Sequence, residues 1–339
     1  MAVDSDQGNV EALVRATLGD SAAEQVLAAL TIVPPLLAET GPDVSRAALA
    51  MALNVILFHG LLQRVPSGAA YVADRLASGG KVVFDHGALR TIRLPQGPTG
   101  ALPAGEDAFT RILKPLGYTL AGVYPLDRLK MTGRAYAHAD APQDIPQFFV
   151  SELHVDRFDA EFATVATRVF GTSLDPIDPE TRAVLRAYES GQLVPFEHAR
   201  TTLTVLVSAF DRQHDPATLE DYELLLSRSP EAAWIATEGN AFNHATDRVA
   251  DVAALAQRLK ADGWPIKDEV EISRNGRVKQ TALRADPIER LFAGNKVRQV
   301  PGSFYEFISR DVDPANGLLD LSFDAGNATG IFAMTSANG

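Results

Sequence analysis

Between Asn9 and Ser78, Ala, Leu and Val recur three and four residues apart, as in Leu13, Ala16, Leu18 and in Leu27, Leu30, Ile32. That spacing lays one apolar stripe along a 3.6-residue turn and predicts several short helices, broken at Pro34-Pro35 and Gly41-Pro42. At Lys81 the period changes. Val82, Phe84, His86, Ala88, Arg90, Ile92 and Leu94 alternate with Val83, Asp85, Gly87, Leu89, Thr91 and Arg93, the two-residue period of a strand. A Gly- and Pro-rich loop over 95–105, a helix over 106–115 and strand-like stretches over 118–125, 129–138 and 148–155 complete a βαβββ pattern.

Residues 160–230 return to a helical, well-charged pattern. A second βαβββ unit is then expected: a strand over 234–240, a helix over 248–262 capped by Thr246 or Asp247, and strands over 269–273, 278–285 and 303–310. Asn275-Gly276 is a hairpin turn dipeptide between two of these. The resulting organisation is an N-terminal helical region (1–80), a first module (81–158), a helical insertion (159–230), a second module (231–312) and a tail (313–339) that becomes a Gly/Ala/Asn-rich loop after Asp320. The fold class is α+β, with two modules forming a curved sheet.

The two modules share more than their period. Phe84-Asp85-His86-Gly87-Ala88-Leu89-Arg90 and Phe242-Asn243-His244-Ala245-Thr246-Asp247-Arg248 carry the same H-x-x-x-R element. Each is followed by a Gly-aromatic pair (Gly117-Tyr118, Gly263-Trp264) and closes on an apolar stretch holding a carboxylate, Glu152 in the first and Glu306 in the second. A duplicated unit with matched His and Glu positions can build one metal site between its copies.

Each residue also has a plainer reading. His86 alone could be a satisfied core histidine, but its repeat partner His244 favours a pair of ligands. Glu306 lies in Phe304-Tyr305-Glu306-Phe307-Ile308, where a buried carboxylate must be paired, protonated or metal-bound; its plainer partner is Arg298 or Arg310. His86, His244 and Glu306 form a 2-His-1-carboxylate set, which leaves positions open and suits Fe(II), although Zn(II), Mn(II) or Ni(II) take similar ligands. Glu152 is a fourth ligand or catalytic carboxylate in a symmetric site, or a structural hydrogen-bonding group beside Ser151 and His154. Arg90 shares a strand face with His86, roughly 13 Å along it at ~3.3 Å per residue, and is a carboxylate clamp or a salt-bridge partner. Arg248 is expected in the first turn of a helix facing Asp247 and Asp251. His59, His138, His198 and His214 have no matching context.

Composition narrows the partners. The chain has 31 Lys plus Arg against 43 Asp plus Glu and no basic run, which argues against a nucleic-acid partner. An acidic protein handling an anion needs a local cation, which raises interest in Arg90. With no cysteine there is no disulfide, thiolate nucleophile or Cys-ligated metal. Apolar runs such as 48–58 are too short to span a bilayer, and no signal peptide is visible, so no membrane partner and a cytoplasmic location are expected. Oligomeric state is left open.

The order D-H-x-x-x-R, G-Y, F-V-S-E-L, N-H-x-T-x-R and a late Y-E-F, spread over roughly residues 5 to 312, resembles the 2-oxoadipate dioxygenase/decarboxylase (2-hydroxyglutarate synthase) family. That family is related in fold to the vicinal oxygen chelate, glyoxalase-like superfamily, which is built from βαβββ repeats. The resemblance implies Fe(2+) held by His86, His244 and Glu306, with Arg90 on a substrate carboxylate. It also implies conversion of 2-oxoadipate and O2 to 2-hydroxyglutarate and CO2. Two other readings stay open: a glyoxalase-like isomerase or lyase in which a redox-inert metal polarises an oxo compound while Glu152 or Glu306 moves a proton, and a binding module without catalysis.

Overall fold

The computed structural model describes residues 7–324; the expected Gly/Ala/Asn-rich end of the tail lies, from residue 325 on, outside the described residues. Eight strands form one mixed, curved sheet. In chain order they are β1 (Phe84–Arg93), β2 (Tyr118–Leu126), β3 (Met131–His138), β4 (Gln147–His154), β5 (His244–Arg248), β6 (Glu271–Ile272), β7 (Val278–Ala282) and β8 (Phe304–Arg310). Their order across the sheet is β2-β3-β4-β1-β5-β8-β7-β6.

This order is two copies of one unit joined edge to edge. In the first, β1 leads through helix Asp107–Leu113 to the meander β2-β3-β4, and β4 returns parallel to β1. In the second, β5 leads through helix Val252–Ala261 to β6-β7-β8, and β8 returns parallel to β5. The copies meet where β1 and β5 run antiparallel. Both are βαβββ modules, and the α+β architecture follows.

Helices cover the sheet on two sides of this seam. Helix Arg46–Leu62 buries twelve of its residues, including Leu49, Leu53, Ile56 and Phe58, as an all-round apolar helix must when it is central to a core. Ser45 starts it by accepting a hydrogen bond from the Ala48 N–H at 3.1 Å. Together with helices Asn9–Leu18, Pro66–Ala77 and Phe196–Ser208 it packs into the main apolar core against Phe84, Phe148, Phe242, Tyr305 and Phe307. A second core joins helices Ala160–Phe170, Leu219–Arg228 and Pro230–Glu238 to Ile92, Leu94, Met131 and Leu153. Among the described residues no single helix is long and apolar enough to cross a membrane.

Two sequence expectations fail here, and one element has no counterpart in the sequence reading. Residues 234–240 are not the opening strand of the second module: Trp234 to Glu238 close helix Pro230–Glu238, which Pro230 begins and Ser229 caps through the Ala232 N–H. Its residues from Glu231 to Glu238 are all buried, and a short run buried on every side carries no period that separates helix from strand. The following helix starts at Val252, capped by the Asp251 carboxylate on the N–H groups of Ala253 and Ala254, not by Thr246 or Asp247. Residues 287–301, unassigned in the sequence, form a separate hairpin of Pro287–Phe292 and Lys296–Pro301. The Asn275-Gly276 turn sits where expected, joining β6 to β7 with Gly276 at φ 75°.

Candidate metal centre

Register alone brings three of the singled-out residues together. Across the β1–β5 seam His86 pairs with Thr246 and Ala88 with His244; across β5–β8 Thr246 pairs with Glu306. Residues paired across strands share a face, and so do residues two apart on one strand. His86, His244 and Glu306 therefore project from adjacent strands onto one face of the sheet. One ligand-type atom from each lies within 4.8 Å of the others, and all three side chains are buried. The imidazole rings are 5.5 Å apart at 86°, and His244 Nε2 lies 2.9 Å from Glu306 Oε2.

The donor set fits a divalent metal. Two atoms each about 2.1 Å from one ion are at most ~4.2 Å apart, so small side-chain rotations suffice. Two nitrogens and one oxygen match an ion of the Fe(II), Zn(II) or Mn(II) class. Among the described residues the buried Nδ1 of His244 has no hydrogen-bond partner, so the ring's polar contact there is the one at Nε2. Burial draws His244 below the usual histidine range despite Glu306. Burial would raise Glu306, yet His244 and His86 hold it below the usual carboxylate range. A neutral imidazole beside an ionised carboxylate is the protonation a metal requires.

Asp85 was not singled out in the sequence, and it orients His86. The pairing of β1 with β5 shifts between Phe84 and His86, a β-bulge that re-aims the side chain of the extra residue. Asp85 Oδ2 thereby comes within 2.8 Å of His86 Nδ1. An ionised carboxylate only accepts, so Nδ1 carries the proton and Nε2 keeps its lone pair for the site, where the Thr246 hydroxyl lies at 3.1 Å. Burial disfavours the Asp85 charge, but Arg310 and His86 outweigh it and hold the carboxyl far below its usual range. The Arg310 guanidinium donates to both Asp85 oxygens, Nε to Oδ1 at 3.0 Å and Nη2 to Oδ2 at 2.9 Å.

The plainer reading of Glu306 does not hold, since Arg310 is taken by Asp85 and Arg298 pairs with Glu223. Glu152 is the larger correction. In the second module Glu306 stands two residues beyond Phe304, the register partner of His244; in the first, the residue two beyond Gln147, partner of His86, is Phe149. Glu152 pairs with Thr91 and faces away from the site. There it accepts from Arg93 Nε at 2.8 Å, Arg134 Nη1 at 3.3 Å and the Glu106 N–H at 2.9 Å. Gly105, at φ +53°, lets the loop settle on it, because a Cβ there would stand 1.8 Å from Glu152 Oε2. Glu152 is a structural anchor and neither a fourth ligand nor a proton carrier at this site.

Arg90 remains on the site face with His86 and Ala88, fully buried, its guanidinium 5.0 Å from the centre of the Trp234 ring. Burial lowers it to about 10, with the Glu231 charge pulling the other way, so it stays cationic at neutral pH. Arg248 is the last residue of β5 and not part of a helix; it donates to the Gln143 carbonyl and lies 3.8 Å from Asp85. Beside the triad opens a small pocket with roughly 30 Å³ of internal space. One wall is aromatic, from Tyr124, Phe149 and Phe323, and another is polar, from Ser151, Asn243 and Gln280.

Comparison with known proteins bears on the family and the fold. Residues 65–316 match the family model of 2-oxoadipate dioxygenase/decarboxylase. The chloroplastic 2-oxoadipate dioxygenase/decarboxylase of Arabidopsis thaliana is 25% identical over 289 residues, which cover 75% of this chain and 68% of that one. The structure of a protein described as belonging to the glyoxalase superfamily, from Ralstonia eutropha JMP134, superposes with TM-score 0.88 at 52% identity, over 94% of this chain and 99% of that one. Hydroxyglutarate synthase of Oryza sativa, solved in complex with 2-oxoadipate, shares the fold at 19% identity and TM-score 0.68, over 89% and 97% of the two chains.

Proposed function

The chain belongs to the 2-oxoadipate dioxygenase/decarboxylase family, and from that premise we propose that it is an Fe(II)-dependent dioxygenase turning 2-oxoadipate and O2 into 2-hydroxyglutarate and CO2. The observation that carries this is the convergence of His86, His244 and Glu306 on one buried face, open on the side of the pocket. Fe(II) bound there would supply the one-electron chemistry that lets O2 react with a 2-oxo acid. Six carbons and seven oxygens enter as 2-oxoadipate and O2 and leave as the five-carbon hydroxy acid and CO2. No second oxo acid is consumed.

The protein's own part is to bind, orient and exclude water. Asp85 keeps the proton on His86 Nδ1 and so presents Nε2 to the ion, as a carboxylate behind a ligating histidine does. Arg90 offers a fixed cation to a substrate carboxylate. It lies on the same strand face as His86 and pairs with Ser151, a residue of the pocket wall. Its place over the Trp234 ring keeps the guanidinium plane fixed, which favours two parallel hydrogen bonds to a carboxylate. Tyr124, Phe149 and Phe323 make the remaining wall apolar, which strengthens every charge interaction inside it.

The isomerase alternative is weakened, since Glu152, one of its two proton carriers, is committed to arginines on the far side of the sheet. The deciding experiment is oxygen uptake by anaerobically Fe(II)-loaded protein on adding 2-oxoadipate. Uptake matched by CO2 release, absent in His86→Ala, with both atoms of labelled O2 recovered in the products, is the expected result. Turnover without O2 would instead favour the isomerase.

A further inference from the structure

We propose that Phe323 is a specificity-determining residue, the end wall that sets how long a 2-oxo acid side chain the site accepts. The inference rests on the 2-oxo acid reading above and goes beyond it in naming the residue that selects among such acids. Phe323 follows the last strand of the second module, yet its ring packs edge-on to His86 at 4.8 Å, against Phe149 at 5.0 Å and Tyr124 at 5.9 Å. It is only half-buried and lines the pocket that holds the triad. A ligand on the open side of His86, His244 and Glu306 shares its pocket with the ring of Phe323, which stands beside the triad.

The segment around it is fixed from both modules. Arg310 Nη1 donates to the carbonyls of Asp320 and Ser322, each at 2.8 Å. Gln147 Nε2 donates to the Leu321 carbonyl at 3.3 Å, and the Phe323 N–H donates to the Tyr124 hydroxyl at 3.1 Å. The Asp320 carboxylate accepts from Arg277 Nε at 2.7 Å and Asn275 Nδ2 at 2.9 Å. A loop tied down by this many groups holds its aromatic ring in one place, and a fixed ring discriminates by size where a mobile one adapts. Arg310 also carries Asp85, which orients His86. The same cation therefore sets the direction of a ligand nitrogen and the position of the wall facing it.

One methylene in an apolar pocket is worth roughly a ten- to 200-fold preference, so removing the ring must show in the length profile. The test is calorimetric titration of Zn(II)-loaded protein, which cannot turn over, with 2-oxoglutarate, 2-oxoadipate and 2-oxopimelate. In Phe323→Ala the affinity ratio of 2-oxopimelate to 2-oxoadipate should rise at least about tenfold relative to the unsubstituted protein. In Phe323→Trp it should shift toward 2-oxoglutarate, a second reading that stands if the alanine variant fails to fold. An equal change for all three acids would reduce Phe323 to packing and overturn the proposal while leaving the proposed reaction intact. If the unsubstituted protein binds none of the three, the 2-oxo acid reading itself fails and this inference falls with it.

Discussion

Asp85 and His86 are adjacent in the chain, and their side chains nevertheless meet, Oδ2 to Nδ1 at 2.8 Å. Neighbours in a regular strand point to opposite faces; the bulge at this point of β1 is what turns Asp85 toward its neighbour. The contact selects the histidine tautomer, and Arg310 keeps the carboxylate ionised behind it.

Asp85→Asn should therefore weaken divalent metal binding by about 10- to 100-fold, measured by competition with a chromophoric chelator. It should also cost stability, on the order of 3 kcal/mol, because Arg310 loses the carboxylate that compensates its buried charge. The double substitution Asp85→Asn with Arg310→Met removes both charges and should recover part of the stability without restoring the metal affinity. Parallel recovery of both would show that Asp85 acts only through packing.

Metal binding itself should stabilise the fold. At a free metal concentration about 100 times Kd, linkage adds roughly 2.7 kcal/mol, visible as a rise in Tm that a chelator reverses. His86→Ala, His244→Ala and Glu306→Ala should each abolish the rise. A rise that persists in all three places the ion elsewhere.

Glu152→Gln separates the two carboxylates that the repeat makes look equivalent. It weakens the ion pairs of a buried carboxylate with the partly exposed Arg93 and Arg134, so a stability loss of roughly 1.5–3 kcal/mol is expected in denaturant titration. Metal affinity should not change, since the residue faces the other side of the sheet. Loss of metal with stability intact would return Glu152 to the site.

His214 gives the chain an acid-sensitive point remote from the triad. Burial lowers it to about 4, and its Nε2 donates to the Ala236 carbonyl at 3.1 Å. The folded state then binds fewer protons than the unfolded one between that value and the ordinary value near 6.5. Its contribution is complete above pH 6.5 and is lost as pH falls toward 4, about 3 kcal/mol in all. His214→Gln should flatten the stability profile over that window; an unchanged slope would assign the acid sensitivity to other groups.

Much of the site was legible from the repeat. H-x-x-x-R occurs twice, and the period-two run after Lys81 put His86 and Arg90 on one face, where both lie. Glu306 was legible as a carboxylate that its apolar neighbours would force into a partnership. Asp85 was visible only as the first letter of a D-H pair, because a bulge leaves no mark in an alternating pattern. Phe323 lay in a tail whose composition reads as loop, and its contact with His86 spans more than two hundred residues.

By itself the sequence determined the elements with a strong period, the duplication, and the chemistry that two histidines and a carboxylate can do. These depend on side-chain identity and on local spacing, which a single chain displays directly. Tertiary structure decided which carboxylate belongs to the site. Matching the modules by their acidic residues pairs Glu152 with Glu306, whereas matching them by strand register pairs Phe149 with Glu306. The difference is three residues, an odd number, and in a strand an odd slip moves a side chain to the opposite face. Register is fixed by backbone hydrogen bonds between distant segments, so the sequence supplied both carboxylates and only the folded sheet could choose between them.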